Sequence, residues 1–315
     1  MNHLLVLIVL ALAVPWAAAA LARRLAGLLP PRAACWALTG AAVVLAGGTF
    51  AALFGLFHVP LLASLWHVPL RRVVAAWPAA VPVACAAGLV LALQCGVAVR
   101  RWLRHRSVLA RAWESAGAGA GHGDLLVVPG DGVEAFALPG FRGRRGTVVV
   151  TSGMVRALGA EERAVLLAHE RAHLAGRHHV LSAVVDLASV AHPALRSLRE
   201  SLGFHLERWA DESAAAAVGD RRLAAAAVAR AALAQSDRGH GGARGYPLLS
   251  VTSGPVPQRV KALLAPAPAG PRGPVRKAGA AALALAVVLC VVAAPAVTLG
   301  LHEFVEHSAA AVRRG

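Results

Sequence analysis

The sequence predicts a mainly α membrane protein, with about four transmembrane helices and an α+β domain inserted between the third and the fourth. Three observations carry this. Hydrophobic residues make up 57% of the 315-residue chain and mean hydropathy is +0.61, above an ordinary soluble domain. Apolar runs at residues 4–22, 33–57, 79–99 and 278–301 have the length a bilayer crossing needs. The interval between the last two runs mixes strand-like and helix-like segments and holds most of the chemically active side chains. The expected division is three N-terminal transmembrane helices in 1–101, the inserted domain in 102–271, and a C-terminal transmembrane helix with a short tail in 272–315.

The first run, 4–22, follows Met1-Asn2-His3, which carries no Lys or Arg, and is followed by Arg23 and Arg24. That charge order favours a retained span over a cleaved signal peptide, although the alanines near its end also fit a cleavage site. Pro15 is tolerable within a bundle. The second run, 33–57, offers Gly40, Gly47 and Gly48 as small surfaces for close packing. Residues 58–77 read as a loop or surface-lying segment that contains Trp66, His67, Arg71 and Arg72, with Trp77 placed like an interfacial anchor. The third run, 79–99, contains the lone polar Gln94, expected to hydrogen-bond between helices, and is followed by Arg100, Arg101, Arg104 and Arg106.

Net charge is +16, but the bases cluster at the ends of apolar runs and no aromatic-basic interleaving occurs. The partner this implies is the lipid bilayer, and no nucleic acid is expected. The positive-inside bias puts the inserted domain on the cytoplasmic side of a cell membrane. Cys35, Cys85, Cys95 and Cys290 all fall inside the proposed spans without a C-x-x-C pair, and read as small apolar residues. Nothing in the sequence sets an oligomeric state.

Within the inserted domain a helix is expected over 102–115, a flexible connector over 117–123, and a strand over 124–129. Residues 134–138 and 147–151 flank GFRGRRG as a hairpin or a pair of short strands. The stretch 160–179 reads as a helix: Glu161 and Glu162 suit its first turn, and Gly176 with the basic residue after it suits its end. Residues 180–198 are apolar but interrupted by Asp186, His192 and Pro193, so they read as a helical hairpin near the membrane or over the site rather than a span. A second helix covers 204–218, an alanine-rich helix 221–235, a flexible stretch 236–245, a short amphipathic helix 257–264 and a Pro/Gly linker 265–274.

The chemistry starts from His169-Glu170-Arg171-Ala172-His173, an H-E-x-x-H motif. Residues four apart share a helix face, so His169 and His173 can present two imidazoles to one zinc ion. Glu170 follows the first of them and can act as general base toward a water held there. Catalytic zinc needs a third protein ligand. Glu207 is the candidate, on a different helix. Asp211, one turn further on, can accept the free N–H of a ligand imidazole and fix its tautomer. Acids are scarce, 16 in all, which makes a chance pair beside apolar Leu206, Trp209 and Ala210 less natural. His178, His179, His192 and His205 read as solvated or structural, and no oxyanion-stabilising residue is assigned.

H-E-x-x-H followed by E-x-x-x-D in a multi-spanning chain resembles the membrane-embedded gluzincin peptidases, both the M48 type and the M56 (BlaR1/MecR1-like) type. The H-E-x-x-H-x-x-G-R-H-H run, Glu207-Arg208-x-x-Asp211-Glu212 and Val218-Gly219-Asp220-Arg221 tilt the resemblance toward M56. It implies a zinc metalloendopeptidase domain cleaving protein or peptide substrates, in membrane or membrane-proximal cytoplasmic proteins. In these families strands before the metal helix border the substrate cleft, and residues 135–138 are the expected edge. About 14 residues follow residue 301, without an S-x-x-K set, so the penicillin-binding sensor domain of BlaR1-like receptors is not expected. An M48-like quality-control protease and a catalytically inactive sensor or scaffold are the alternatives.

Overall fold

The computed structural model describes residues 2–58, 69–76, 78–117, 120–237 and 256–266. The expected fourth span at 278–301, the linker 265–274 beyond residue 266, most of 236–245, and Trp66, His67 and Trp77 lie outside the described residues. The order is α1 (Asn2–Ala26), α2 (Pro31–Phe57), α3 (Leu70–Ala76), α4 (Ala80–Ala116), β1 (Ala120–His122), β2 (Leu125–Val128), β3 (Ala135–Leu138), β4 (Thr147–Thr151), α5 (Ser152–Ala157), α6 (Ala160–Ala175), α7 (His178–Ala191), a 3-10 turn (Pro193–Leu195), α8 (Arg196–Val218), α9 (Arg221–Asp237) and α10 (Val256–Leu264).

Among the described residues, α2 and α4 are the two helices long and apolar enough to cross a membrane. Pro30 and Pro31 open α2 with the fixed φ a first turn wants, and Gly88 lets α4 approach α2, since a Cβ there would collide with the Phe57 ring. The outer faces of both helices expose large apolar side chains, among them Phe50, Phe54, Leu89 and Leu93.

The expected break between a span at 79–99 and a separate helix at 102–115 is absent. α4 is one helix of 37 residues, about 55 Å long. Polarity changes at Arg100, but no residue from Val99 to Ala116 removes a backbone donor, so the helix continues. Its far end buries Ala112 and Ala116 against Leu138 and Val149 of the sheet. One rigid rod thus joins the apolar helices to the sheet.

The sheet order is β1-β2-β4-β3, with β2 parallel to β4 and β3 antiparallel to it. Ala135 opposes Val150 and Leu138 opposes Thr147, so the two segments around GFRGRRG pair as a hairpin and β3 is an edge strand, as expected. The connector at 117–123 differs from expectation: Ala120–His122 forms β1, paired with β2. Thr151 ends β4 and caps α5, its Oγ1 accepting from the Met154 N–H at 3.2 Å. Glu162 reaches back to the Gly159 N–H at 2.8 Å and fixes the start of α6.

Residues 180–198 contain the rest of α7, the turn at His192-Pro193, and the start of α8. α7 and α8 pack their apolar faces on α1 and α2: Leu181, Val185, Leu198, Leu202 and Leu206 share one buried cluster with Ala22, Leu38 and Leu45. Each such leucine contributes about 1.5–3 kcal/mol of burial. Asp186 interrupts the apolar pattern because it is a joint. Its carboxylate takes Arg101 at 3.0 Å, His105 at 3.1 Å and Arg199 at 2.9 Å, tying α7 to α4 and α8. Gln94 on α4 donates to the Ala191 carbonyl at the end of α7, at 2.9 Å. The expected interhelical hydrogen bond of Gln94 is therefore present.

Candidate metal centre

α6 supplies three of the residues singled out in the sequence, and α8 supplies the other two. α6 is held between the sheet and the helices behind it: Leu166 and Leu174 face the cluster around Val148, Val150 and Met154, while Val165 packs with Ala214, Ala215 and Leu263. Helical spacing then aims His169 and His173 at one point, and α8 brings Glu207 to it.

The structure brings His169, His173 and Glu207 together as one group of possible metal ligands. The two Nε2 atoms are 3.1 Å apart. Glu207 Oε2 lies 3.6 Å from His169 Nε2, and its Oε1 lies 3.6 Å from His173 Nε2. Zinc bonded at 2.0–2.1 Å in a tetrahedron places its donors about 3.3 Å apart, and the three residues stand near that spacing, with the two imidazoles meeting different oxygens of Glu207. All three side chains are buried or nearly so.

Asp211 stands behind His169, with Oδ1 at 3.1 Å from Nδ1, close enough for a charge contact but off the hydrogen-bond direction. Arg259 on α10 grips both Glu207 and Asp211 of α8. It donates to Asp211 from Nε at 2.8 Å and from Nη2 at 2.6 Å, and its Nη1 is 2.9 Å from Glu207 Oε2. Glu170 is 9% exposed and lines the same cavity, with Ala137 of β3. Phe136, Met154, Leu166, Leu206 and Val228 complete an apolar wall around these groups.

Three buried carboxyls thus face one guanidinium, and a divalent cation would balance the difference. Without one, the site stores protons. Burial, reinforced by the Glu207 charge, pushes the Glu170 carboxyl up to about 7. Burial pulls His169 down, but Asp211 and Glu207 outweigh it and raise His169 to about 10. Burial lowers His173 to about 3, with only Glu207 opposing it. Asp211 is held at about 2: burial acts upward, and Arg259 and His169 overcome it.

Two residues at the site escaped the sequence reading. Arg259 was one base among 32 Lys and Arg on a short amphipathic segment, with nothing to mark it. His178 was set aside with the spare histidines, yet its Nδ1 is 2.7 Å from His173 Nδ1. A signal was available: His178 stands five positions after His173, just past a helix-ending glycine. His179 and His205 have no such contact with the three candidate ligands.

Comparison with known proteins agrees with this geometry. No curated protein and no solved structure matched the chain. The model of peptidase family M48 matches residues 100–204, about a third of the chain, and covers His169, Glu170 and His173 but stops short of Glu207. That match is to the branch set second in the sequence reading, not to M56. Over the stretch it covers, the chain is similar to peptidase family M48, which supports an M48-type metallopeptidase domain.

Proposed function

We propose that the protein is a zinc-dependent endopeptidase held in a membrane by its apolar helices. The observation that carries the reading is the convergence of His169, His173 and Glu207 at zinc spacing, with Glu170 beside them. In this reading His169, His173 and Glu207 hold the ion. Bound zinc supplies Lewis-acid polarisation of the scissile carbonyl and of a water. Glu170 accepts the water proton and passes it to the leaving nitrogen, and a carboxyl poised near 7 suits both steps. Asp211 orients His169, and Arg259 keeps Glu207 and Asp211 ionised and in place.

β3 lies at the edge of the sheet, and its Ala137 lines the cavity that holds Glu170. An extended substrate strand pairing along β3 would pass directly over the catalytic group. The charge bias of the helices supports a cytoplasmic domain, and hence clients in the membrane or close to its cytoplasmic face. A dedicated regulatory client such as a repressor follows the BlaR1-like resemblance of residues 207–212 and 218–221. General quality control follows the M48 match. Domain limits of 1–101, 102–271 and 272–315 remain the working division.

The test is hydrolysis of an unstructured protein by the zinc-supplied full chain in detergent. Glu170→Gln should lower turnover about 10²–10⁴-fold while keeping zinc. Equal turnover in wild type and variant would remove Glu170 from the mechanism. Clients captured by the inactive variant, one or many, separate the regulatory from the quality-control reading.

A further inference from the structure

His169 has a carboxylate, Asp211, behind its Nδ1, but no acidic group stands behind the His173 Nδ1 among the described residues. In its place is His178. The rings of His173 and His178 meet edge to face with centroids 4.6 Å apart, and their Nδ1 atoms are 2.7 Å apart. The local chain is shaped to deliver this ring. α6 stops at Gly176, where a Cβ would collide with His178 Nε2. Arg177 takes a left-handed conformation, φ 49°, and α7 starts at His178 itself. The His178 ring also packs at a tilt against Trp209, at 4.5 Å between centroids, two residues beyond Glu207 on α8. The Arg32 guanidinium at the start of α2 sits over the same indole at 5.5 Å.

We propose that His178 is a positioning residue for His173, resting on the metal reading above. For His173 Nε2 to offer a lone pair to the ion, its proton must sit on Nδ1, and the atom placed to accept that N–H is His178 Nδ1. His178 then carries its own proton on Nε2, which is buried without a hydrogen-bond partner among the described residues. A neutral imidazole thus does for His173 what Asp211 does for His169. Trp209 and Arg32 tie that support to α8 and to the apolar helix α2.

The test is zinc affinity of the full chain in detergent, by chelator competition, with the cobalt-substituted absorption spectrum as a second readout. His178→Phe keeps a ring on Trp209 but removes the acceptor, and should weaken zinc about 10–100-fold. His178→Asn places a carbonyl oxygen where Nδ1 stands, and should stay within about threefold of wild type with an unchanged cobalt spectrum. Affinity of His178→Phe equal to wild type, or equal weakening in both variants, would overturn the proposal. Should His178→Phe not fold, His178→Gln, whose carbonyl sits at the Nε2 place, gives the same contrast with His178→Asn, and equal affinities of that pair overturn it. Wild type that takes up no zinc sinks the metal reading and this inference with it.

Discussion

His169 and His173 stand one turn apart on the same helix, yet their surroundings have opposite character. His169 faces the anionic flank, where Asp211 and Glu207 are gripped by Arg259. His173 faces the neutral flank, where His178 lies on Trp209. The difference appears in their proton affinities: His169 is raised to about 10 and His173 lowered to about 3. On the proposed metal reading, one helix carries two candidate ligands of which one must shed a proton to meet a metal and the other arrives ready. The anionic flank would then couple metal uptake to pH and to the charge balance. The neutral flank would couple it to packing against α8 and α2.

The comparison can be broken or sharpened by substitution. The largest effect is expected from Glu207→Ala, which removes the one residue both flanks share. Zinc binding and proteolysis should vanish together; full zinc content in that variant would withdraw Glu207 as a ligand. Next comes Arg259→Ala, which strands two buried carboxylates. It should destabilise the metal-free protein by about 3–5 kcal/mol in chemical denaturation, with zinc recovering part of the loss. An unaltered midpoint would show that the guanidinium does not hold that flank.

Leu198→Ala acts in the cluster shared with α1 and α2, outside the group of candidate ligands. It should cost about 2–5 kcal/mol of stability while leaving zinc per folded chain unchanged. Asp211→Asn should weaken zinc about 10–100-fold without loss of folding, read by chelator competition.

The smallest effect is in pH. His169 binds its proton more tightly folded than unfolded, so its contribution is full below pH 6.5 and is lost as pH rises toward 10. Thermal melting of metal-free protein should therefore drop across that window. Zinc-loaded protein, whose His169 is neutral and no longer takes up a second proton, should be flatter. A pH-independent metal-free midpoint would remove the asymmetry between the flanks.

Much of the anionic flank was legible in the sequence because its residues keep helical spacing: His169 to His173 and Glu207 to Asp211 are each four apart. The strand at 135–138 was legible from the GFRGRRG stretch after it, and its edge role from the family resemblance. The neutral flank was not, since it depends on a left-handed Arg177 and on two helices meeting, which no local pattern encodes. Arg259 reaches Asp211 across 48 positions, so no spacing rule connects them. The continuity of α4 was missed for a different reason: a change of polarity at Arg100 looks like a boundary, but helices end at breakers or caps, and neither is present there.

The most direct measurement is zinc per chain in the detergent-purified full-length protein, wild type beside His169→Ala. The expected result is about one zinc in the wild type and none in the variant. A well-folded wild type that holds no zinc after zinc has been supplied would contradict the metal centre, and with it the peptidase reading.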